Sequence, residues 1–288
     1  MFSKIAIIFV ILFQVINGHP LESAQPQYDF KNLLTSRIVG GQDAPEGYGK
    51  YMVALVAGYY MKTLVCGGSI ISGQYVLSAA HCIEPFVYWG ELLSSFKGVI
   101  GSHYWNSSQY IKFSHFDIHP NWDWATLKND IGVVKTTEKM VFSNRVGYIA
   151  LNRRWIPGGE QGFVTGWGRV EAWGDIPCHL QMLHATTISG KQCIAAWKNV
   201  SLIVGTTPPV HPDVEICTLH SAGQGMCNGD SGSPLVMSDL RQSDSGSPLG
   251  TLKLQQVGIV SWGLACAHGV PDVYTRISAY THYLAKYL

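Results

Sequence analysis

In the stretch Cys227-Asn228-Gly229-Asp230-Ser231-Gly232, a cysteine and two glycines surround one serine, and in Ala79-Ala80-His81-Cys82 a cysteine follows a histidine. A serine hydroxyl is a weak nucleophile at neutral pH, so it needs an adjacent base and donors for the developing oxyanion. Gly229 has no Cβ, so its backbone can turn an N–H group inward, and Ser231 can supply a second one. The two segments together predict a nucleophile, Ser231, and its base, His81.

A second copy of the serine motif makes the choice of nucleophile less direct. Residues 230–235, with the sequence Asp-Ser-Gly-Ser-Pro-Leu, recur as residues 244–249. The copy around Ser245 follows Ser243 instead of a glycine, and no cysteine lies just upstream. It therefore lacks the oxyanion glycine and the disulfide that would anchor a strained turn. In its favour, Ser245 is nearer in the chain to the downstream segment Ser261-Trp262-Gly263. We assign the nucleophile to Ser231 and interpret the second copy as a polar surface loop.

The N-terminal residues have the composition of a secretory signal. In residues 1–18 a lysine precedes the apolar run 5–15 and a glycine ends the segment. The run is too short to span a membrane, so we expect a soluble, secreted, extracellular protein without a membrane partner. Two sequons predict glycosylation at Asn106 and Asn199. The formal net charge of +1 and the scattered Lys and Arg give no support to nucleic-acid binding.

The polar, proline-containing residues 19–37 predict a pro-segment that ends at Arg37. Cleavage after Arg37 would create an α-ammonium group on Ile38. Asp230 has no catalytic duty and needs a counter-charge, because a buried unpaired carboxylate costs several kcal/mol. An Ile38–Asp230 ion pair would form only after cleavage and would order the oxyanion turn, which predicts a zymogen. The alternative is an ordinary basic residue that precedes a buried strand.

The strand pattern indicates an all-β chain. Short runs rich in β-branched and aromatic residues alternate with glycine, proline and asparagine. After processing about 250 residues remain, enough for two barrels of about 120 residues each. We place barrel one at residues 38–150 and barrel two at 151–276. Four apolar residues at helical spacing predict an amphipathic helix over 277–288.

Further motifs follow in a fixed order along the chain. Asn129-Asp130-Ile131 places an aspartate before an apolar strand, and Gly166-Trp167-Gly168 and Ser261-Trp262-Gly263 follow it. Together with Ile38-Val39-Gly40-Gly41 and the order of His, Asp and Ser, they resemble the chymotrypsin-like (trypsin-fold) serine proteases over residues 38–288. The resemblance implies two six-stranded antiparallel β-barrels with a C-terminal α-helix.

The resemblance also implies a serine endopeptidase with a defined catalytic apparatus. Ser231 would attack the scissile carbonyl, and His81 would take its proton and return it to the leaving amine. Asp130 would orient His81, Ser261 would support Asp130, and the N–H groups of Gly229 and Ser231 would hold the oxyanion. No cofactor is implied. The expected partners are protein or peptide substrates, an activating trypsin-like protease and protein inhibitors, and we expect a monomer.

Seven cysteines cannot all pair within the chain. The resemblance implies three disulfides, each worth about 2–4 kcal/mol: Cys66–Cys82, Cys193–Cys217 and Cys227–Cys266. Cys178 is left over, and we interpret it as a buried inert thiol, with a cross-link to a partner as the alternative. Once the other cysteines are paired, no cluster of His, Cys or carboxylates has metal-ligand spacing, so no metal site is predicted.

Substrate preference is inferred from the same resemblance. Gly225 would form the floor of the primary specificity pocket, where trypsin-like members carry an aspartate for Lys or Arg. The strand Ser261-Trp262-Gly263 would pair with the substrate backbone. Asp272 lies on another strand of the pocket, and this Gly/Asp combination is similar to arthropod chymotrypsins and collagenolytic proteases. We predict cleavage after large apolar residues, with tolerance of basic ones if Asp272 points inward and a purely apolar slot if it does not.

The competing function is a catalytically silent homologue that acts by binding. Such homologues usually lack a member of the triad, whereas this chain retains all three, the activation site and the oxyanion glycine. A regulatory cascade protease would normally carry an appended recognition module, and residues 19–37 are short and free of cysteine. We therefore expect a digestive or otherwise degradative enzyme.

Overall fold

The computed structural model describes residues 40–169, 174–220, 223–238, 253–264, 266 and 268–288. The expected signal peptide at 1–18, the pro-segment at 19–37 with Arg37, the new terminus Ile38 and the second candidate serine, Ser245, all lie outside the described residues. Within these described ranges, no helix has both the length and the apolar character needed to cross a membrane.

Strands dominate the described residues. There are sixteen of them: β1 (Gln42–Asp43), β2 (Met52–Ala57), β3 (Thr63–Ile70), β4 (Tyr75–Ser78), β5 (Val87–Tyr88), β6 (Glu91–Leu92), β7 (Lys97–Val99), β8 (Tyr110–Ile118), β9 (Gly132–Thr136), β10 (Ala150–Leu151), β11 (Gln161–Gly166), β12 (Gln181–Ile188), β13 (Glu215–Thr218), β14 (Pro234–Ser238), β15 (Leu254–Trp262) and β16 (Asp272–Arg276). In β12 the burial alternates, with Leu183, Ala185 and Thr187 inside and His184 and Thr186 exposed. One face of this strand therefore packs on a core while the other faces solvent.

The first half of the chain closes into a six-stranded antiparallel barrel in the order β2-β3-β4-β9-β8-β7. Closure leaves no free edge, because β7 pairs with both β8 and β2. The interior is filled by fully buried aliphatic side chains: Val53, Leu55, Ile70, Leu77 and Val133.

The second half forms another six-stranded antiparallel barrel, β12-β11-β14-β15-β16-β13, which β13 closes by pairing back to β12. Its core contains Val164, Leu183, Ile216, Leu235 and Tyr274. The predicted architecture of two six-stranded barrels is thus confirmed. Two elements pack on the barrel of the other half of the chain. The early strand β1 pairs with β12 of the second barrel, and the C-terminal helix packs on the first barrel.

Three α-helices lie in the described residues: α1 (Ala80–Ile83), α2 (Gly190–Val204) and α3 (Thr281–Leu284). The predicted C-terminal helix is present, but only α3 is α-helical, and 3₁₀ turns at Ile277–Tyr280 and Ala285–Tyr287 flank it. Its buried side chains, which include Leu284, join the core of the first barrel. The helix therefore fastens the end of the second half of the chain onto the first half.

The structure contains the three disulfides that the family resemblance implied: Cys66–Cys82, Cys193–Cys217 and Cys227–Cys266. Cys178 is a free thiol, and it is exposed. The interpretation of Cys178 as a buried thiol was therefore wrong. The chain here runs along the surface before β12, and only at Leu180 does it become fully buried.

Candidate active site

The pairing of β4 with β9 brings a histidine and an aspartate together. Ser78 at the end of β4 pairs with Gly132 at the start of β9, so the residues just beyond these strand ends are neighbours. His81 Nδ1 donates to Asp130 Oδ2 over 2.8 Å, and the His81 backbone N–H donates to Asp130 Oδ1 over 3.0 Å. A carboxylate can only accept, so the Nδ1 atom carries the hydrogen. The Nε2 atom of the neutral ring is then free to accept a proton.

Two hydroxyl groups of the second barrel donate hydrogen bonds to Asp130. The carboxylate is buried, with 1% of the residue exposed. Ser261 Oγ donates to Asp130 Oδ2 over 2.6 Å, and Thr275 Oγ1 donates to the Asp130 carbonyl over 2.7 Å. Ser261 was expected in this supporting position, whereas Thr275 was not, because no motif marks it.

The buried pair shifts the basicity of the imidazole. Burial by itself lowers the pKa of His81, but the charge of Asp130 and its hydrogen bond raise the pKa more, so it lies above its ordinary value of 6.5. A raised pKa makes the imidazole a stronger base for the transfer of a proton. The imidazolium form is stabilised by the aspartate beside it.

The turn that carries the candidate nucleophile, Ser231, is held between β3 and β15. Gly67 N–H donates to the Ser231 carbonyl over 2.7 Å, and Gly232 N–H donates to the Val260 carbonyl over 2.8 Å. Gly229 has φ of +104°, in the region that favours glycine. Among the described residues, no acceptor contacts the N–H groups of Gly229 and Ser231. Both donors are therefore available to an oxyanion.

Within the described part of the chain Ser231 and His81 are not hydrogen-bonded to each other, but the residues that follow them approach closely: a Cβ atom on Gly232 would lie 3.3 Å from Cys82 Sγ. His81 Nε2 lies 3.6 Å from Cys82 Sγ, an atom of the disulfide to Cys66. Hydrogen bonds between a catalytic nucleophile and its base are often long without substrate and tighten in the complex. The structure therefore joins two members of the expected triad, His81 and Asp130, directly, and the turn that carries Ser231 contacts the segment that carries His81.

Asp230 explains the glycines of the Gly166-Trp167-Gly168 motif. The Asp230 side chain is fully buried; its Oδ1 accepts from Gly168 N–H over 2.8 Å and its Oδ2 accepts from Cys227 N–H over 3.1 Å. A Cβ atom on Gly166 or Gly168 would overlap these carboxylate oxygens. Burial raises the pKa of Asp230 to about 6. The carboxylate is thus desolvated and lacks a full counter-charge among the described residues.

A cavity of about 200 Å³ opens beside Ser231. Its lining contains four of the five residues expected to bind substrate, namely Ser261, Trp262, Gly263 and Asp272. Gly225, the expected floor, is not in the lining, whereas its neighbour Met226 is. The remaining lining residues are Cys227, Asn228 and Val260.

Asp272 is both hydrogen-bonded and part of the cavity wall. Its Oδ2 accepts from Met226 N–H over 3.1 Å, and only 6% of the residue is exposed. A Cβ atom on Gly263 would lie 3.2 Å from Asp272 Oδ1, so the second oxygen lies beside this glycine of the wall. Burial raises the pKa of Asp272 to about 7, against the lowering effect of the Met226 hydrogen bond. From the sequence, an Asp272 that faces the cavity and an Asp272 that is turned away and hydrogen-bonded were alternatives. The structure shows a side chain that is hydrogen-bonded and also lines the cavity.

A buried ion pair supports Trp262, on the strand that is expected to pair with substrate. Trp262 Nε1–H donates to Glu215 Oε1 over 2.9 Å, and Lys128 Nζ lies 2.7 Å from the same oxygen. Trp197 packs against Trp262 with ring centroids 4.7 Å apart. Sequence reasoning missed Lys128, Glu215 and Trp197, because no local pattern relates residues so far apart in the chain.

The arrangement of Cys66, His81 and Cys82 does not provide a metal site. Their sulfur and nitrogen atoms lie within 4.8 Å of one another. However, the two sulfurs are bonded to each other, so neither is a thiolate that could bind a metal ion. The two sequon residues, Asn106 and Asn199, are exposed, the first in a loop and the second within α2.

Comparison with known proteins shows the family of the chain. Residues 38–284 match the family model described as Trypsin. The chain is 32% identical over 256 residues to Chymotrypsin-2 of Vespa crabro, covering 86% of this chain and 99% of that protein. It is 33% identical over 248 residues to Serine protease 1 of Rattus norvegicus (84% and 85% covered) and 31% identical over 255 residues to Trypsin I-P1 of Gallus gallus (86% and 88% covered). The protein therefore belongs to the trypsin family of chymotrypsin-like serine proteases.

Proposed function

We propose that this protein is a secreted serine endopeptidase whose triad is His81, Asp130 and Ser231. The observation that carries the proposal is the buried Asp130 carboxylate, which holds His81 Nδ1 at 2.8 Å with Ser261 behind it. Residues that only stabilise a fold do not require a desolvated carboxylate behind a partly exposed imidazole, whereas a general base does. No observation favours the catalytically silent homologue.

In the proposed reaction, the substrate carbonyl lies against Ser231. The His81 Nε2 atom takes the hydroxyl proton as Oγ attacks the carbonyl carbon, and Asp130 stabilises the resulting imidazolium. The N–H groups of Gly229 and Ser231 donate to the oxyanion. The imidazolium then protonates the leaving amine, and an acyl-enzyme on Ser231 remains. Water, deprotonated by His81, hydrolyses this ester and restores the serine.

The proposed substrates are proteins and peptides with a large apolar residue before the scissile bond. Such a side chain would enter the cavity beside Ser231, where Met226 and Val260 supply apolar surface. The substrate backbone would pair with the end of β15, at Ser261 and Trp262, and with Gly263 just beyond it. Asp272 in the cavity wall supports tolerance of basic residues as well. Activation by a trypsin-like protease after Arg37, control by protein inhibitors and a monomeric state complete the proposal.

The test is labelling with a serine-reactive fluorophosphonate before and after cleavage at Arg37, with the labelled residue located by mass spectrometry. We expect label on Ser231 only after cleavage, and none in a Ser231→Ala variant. Label on Ser245 would move the nucleophile to the second copy of the motif. Cleaved, folded protein that takes no label would instead support a binding homologue without enzymatic activity.

We expect the preference for basic residues to depend on pH through Asp272. The measurement compares kcat/KM for two peptides that differ only in having Arg or Leu before the scissile bond. The Arg/Leu ratio should rise as the pH increases through about 7, because the pKa of Asp272 is raised to that value and the carboxylate becomes charged above it. The titration of His81 affects both peptides equally and cancels in the ratio.

The matched variant for this measurement is Asp272→Asn, which keeps the shape and an acceptor for Met226 N–H. A charge-assisted hydrogen bond contributes about 1.5–3 kcal/mol, so the variant should lower the Arg/Leu ratio at alkaline pH by about 10- to 100-fold. Its ratio should also stay constant with pH. A wild-type ratio that does not change between pH 6 and 8.5 would show that Asp272 does not contact the substrate.

A further inference from the structure

We propose that Lys128 and Glu215 are positioning residues for substrate binding. Their buried ion pair holds the Trp262 indole, and with it the end of β15, in the place where an extended substrate backbone pairs. The inference rests on the proposed function, since it concerns binding at the same site. It predicts that the ion pair favours extended peptides over substrates that occupy only the cavity beside Ser231.

Three donors converge on the Glu215 carboxylate. Its Oε1 atom accepts from Trp262 Nε1–H over 2.9 Å and from Lys128 Nζ over 2.7 Å, and its Oε2 atom accepts from the His211 backbone N–H over 2.6 Å. Only 4% of Glu215 and 8% of Lys128 are exposed. A buried charge is tolerated when it is paired and its remaining lone pairs are hydrogen-bonded, as they are here. The direction of the carboxylate is therefore fixed.

The Trp262 indole is held at its N–H group and also at its ring. The Lys128 ammonium lies 5.1 Å from the centroid of the ring, within the range of a cation–π contact. Trp197 of α2 packs against the same ring, with centroids 4.7 Å apart. Without the ion pair, the ring would keep its packing contact with Trp197 but lose the hydrogen bond that sets its direction.

The backbone on both sides of Lys128 is left-handed. Leu127 has φ of +55° and Asn129 has φ of +58°. Asparagine tolerates this region, whereas leucine in it is strained, and such strain persists only where the surrounding contacts determine the conformation. Asn129 donates to the Asn121 carbonyl over 2.7 Å and accepts from Tyr280 Oη over 3.1 Å. These bonds and the ion pair offset the strain of a turn that places Lys128 in the interior.

The ion pair lies beside the contact between the candidate catalytic aspartate and β15. Lys128 precedes Asp130 by two residues, and Trp262 directly follows Ser261, whose hydroxyl donates to Asp130 over 2.6 Å. Two parallel links thus join the first half of the chain to β15. The Asp130–Ser261 link supports the base. The link through Glu215 supports the strand that pairs with substrate, so its loss should change substrate binding more than proton transfer.

The experiment compares two substrates with the same large apolar residue in the cavity. One is a single-residue ester, and the other is a peptide that extends further toward its N-terminus and so pairs with β15. The two variants are Lys128→Met/Glu215→Gln and Lys128→Met/Glu215→Met. Both remove the two charges together, because a single change would leave an unpaired buried charge. They differ in whether residue 215 retains an oxygen for the Trp262 indole N–H.

The Lys128→Met/Glu215→Met variant should lower the peptide/ester ratio of kcat/KM by about tenfold, since a misplaced positioning group can cost up to about 10²-fold. The loss should lie mainly in KM of the peptide, as expected for a binding contact. Lys128→Met/Glu215→Gln should retain most of the ratio. The fraction of active enzyme, from fluorophosphonate labelling, corrects for any misfolded protein.

Two further measurements locate the effect. In a Trp262→Phe background, which has no indole N–H, the Gln and Met variants should have the same ratio, because Glu215 acts through Trp262. The matched control is Lys286→Met/Asp117→Asn. It removes another Lys–carboxylate pair, joined over 2.6 Å and partly exposed beside the C-terminal helix, and it should leave the ratio unchanged.

The outcomes separate the inference from the proposed function. If wild type cleaves both substrates and labels at Ser231 but Lys128→Met/Glu215→Met keeps the wild-type ratio, the inference is overturned and the protease assignment stands. It is overturned in the same way if the control changes the ratio as much, or if the Gln and Met variants still differ in the Trp262→Phe background. If wild type neither cleaves nor labels, the proposed function itself fails.

Discussion

Asp130→Asn is expected to lower kcat about 10⁴-fold, the size of the loss that this change causes in a related triad protease. The physical reason is the tautomer of His81. The carboxylate accepts from His81 Nδ1, so Nε2 of the neutral ring is unprotonated and basic. An amide in its place can donate to Nδ1, which leaves the hydrogen on Nε2 and removes the base.

The measurement is kcat on the best peptide substrate, together with the rate of fluorophosphonate labelling. Ser261→Ala is the matched control, because it removes one hydrogen bond to Asp130 without changing the tautomer. A hydrogen bond to a charged group contributes about 1.5–3 kcal/mol, so this variant should lose no more than about 10- to 100-fold. If Asp130→Asn retains activity within about tenfold of wild type, Asp130 does not orient the base.

The pH dependence of kcat/KM should be set by the His81–Asp130 pair. In wild type, kcat/KM should fall as the pH decreases through the pKa of His81, because protonation of Nε2 removes the base. Asp130 raises this pKa above 6.5, so the acidic limb should lie higher than for an isolated imidazole. The limb is measured as kcat/KM across pH 5–8 for the peptide with Leu before the scissile bond. A midpoint well below pH 6.5 would contradict a His81 pKa raised by Asp130.

Local motifs were enough to predict the elements that hold the site. The candidate base precedes a cysteine and the candidate aspartate precedes an apolar strand, and the β4–β9 register then makes His81 and Asp130 neighbours. The two-barrel fold followed from short alternating runs and from the family resemblance. The glycines of the Gly166-Trp167-Gly168 motif were noted without a reason, which the buried Asp230 carboxylate now supplies.

Other features could not be predicted, because they depend on contacts between distant segments. The ion pair of Lys128 with Glu215 joins residues 87 positions apart, and the same carboxylate holds the Trp262 indole. Glu84 accepts a hydrogen bond from the indole N–H of Trp124, which lies 40 positions away in the chain. Neither pair has a spacing that marks a helix face or a strand face. The sequence shows which residues are polar. Only the fold shows which of them are hydrogen-bonded to the same buried carboxylate oxygen.

Asp230→Asn in the cleaved protein is expected to lower kcat/KM about 10²- to 10³-fold. We propose that the Ile38 α-ammonium pairs with Asp230 after cleavage. Removal of one partner from a buried ion pair costs about 3–5 kcal/mol. The asparagine keeps an oxygen for one backbone donor, so the loss would report mainly the missing charge. Burial that raises the pKa of Asp230 to about 6 indicates how strongly this carboxylate needs a cation.

Arg37→Gln is the companion variant, because it blocks cleavage and leaves Asp230 intact. It should label at Ser231 no faster than the cleaved Asp230→Asn protein, and the two changes together should label no more slowly than Arg37→Gln alone, since both remove one ion pair. In cleaved wild type, activity should also decline at alkaline pH, because an α-ammonium, whose ordinary pKa is about 8, loses its charge there. An uncleaved Arg37→Gln protein with full activity would rule out the zymogen switch, and Asp230 would then be a structural acid whose backbone hydrogen bonds alone order the turn.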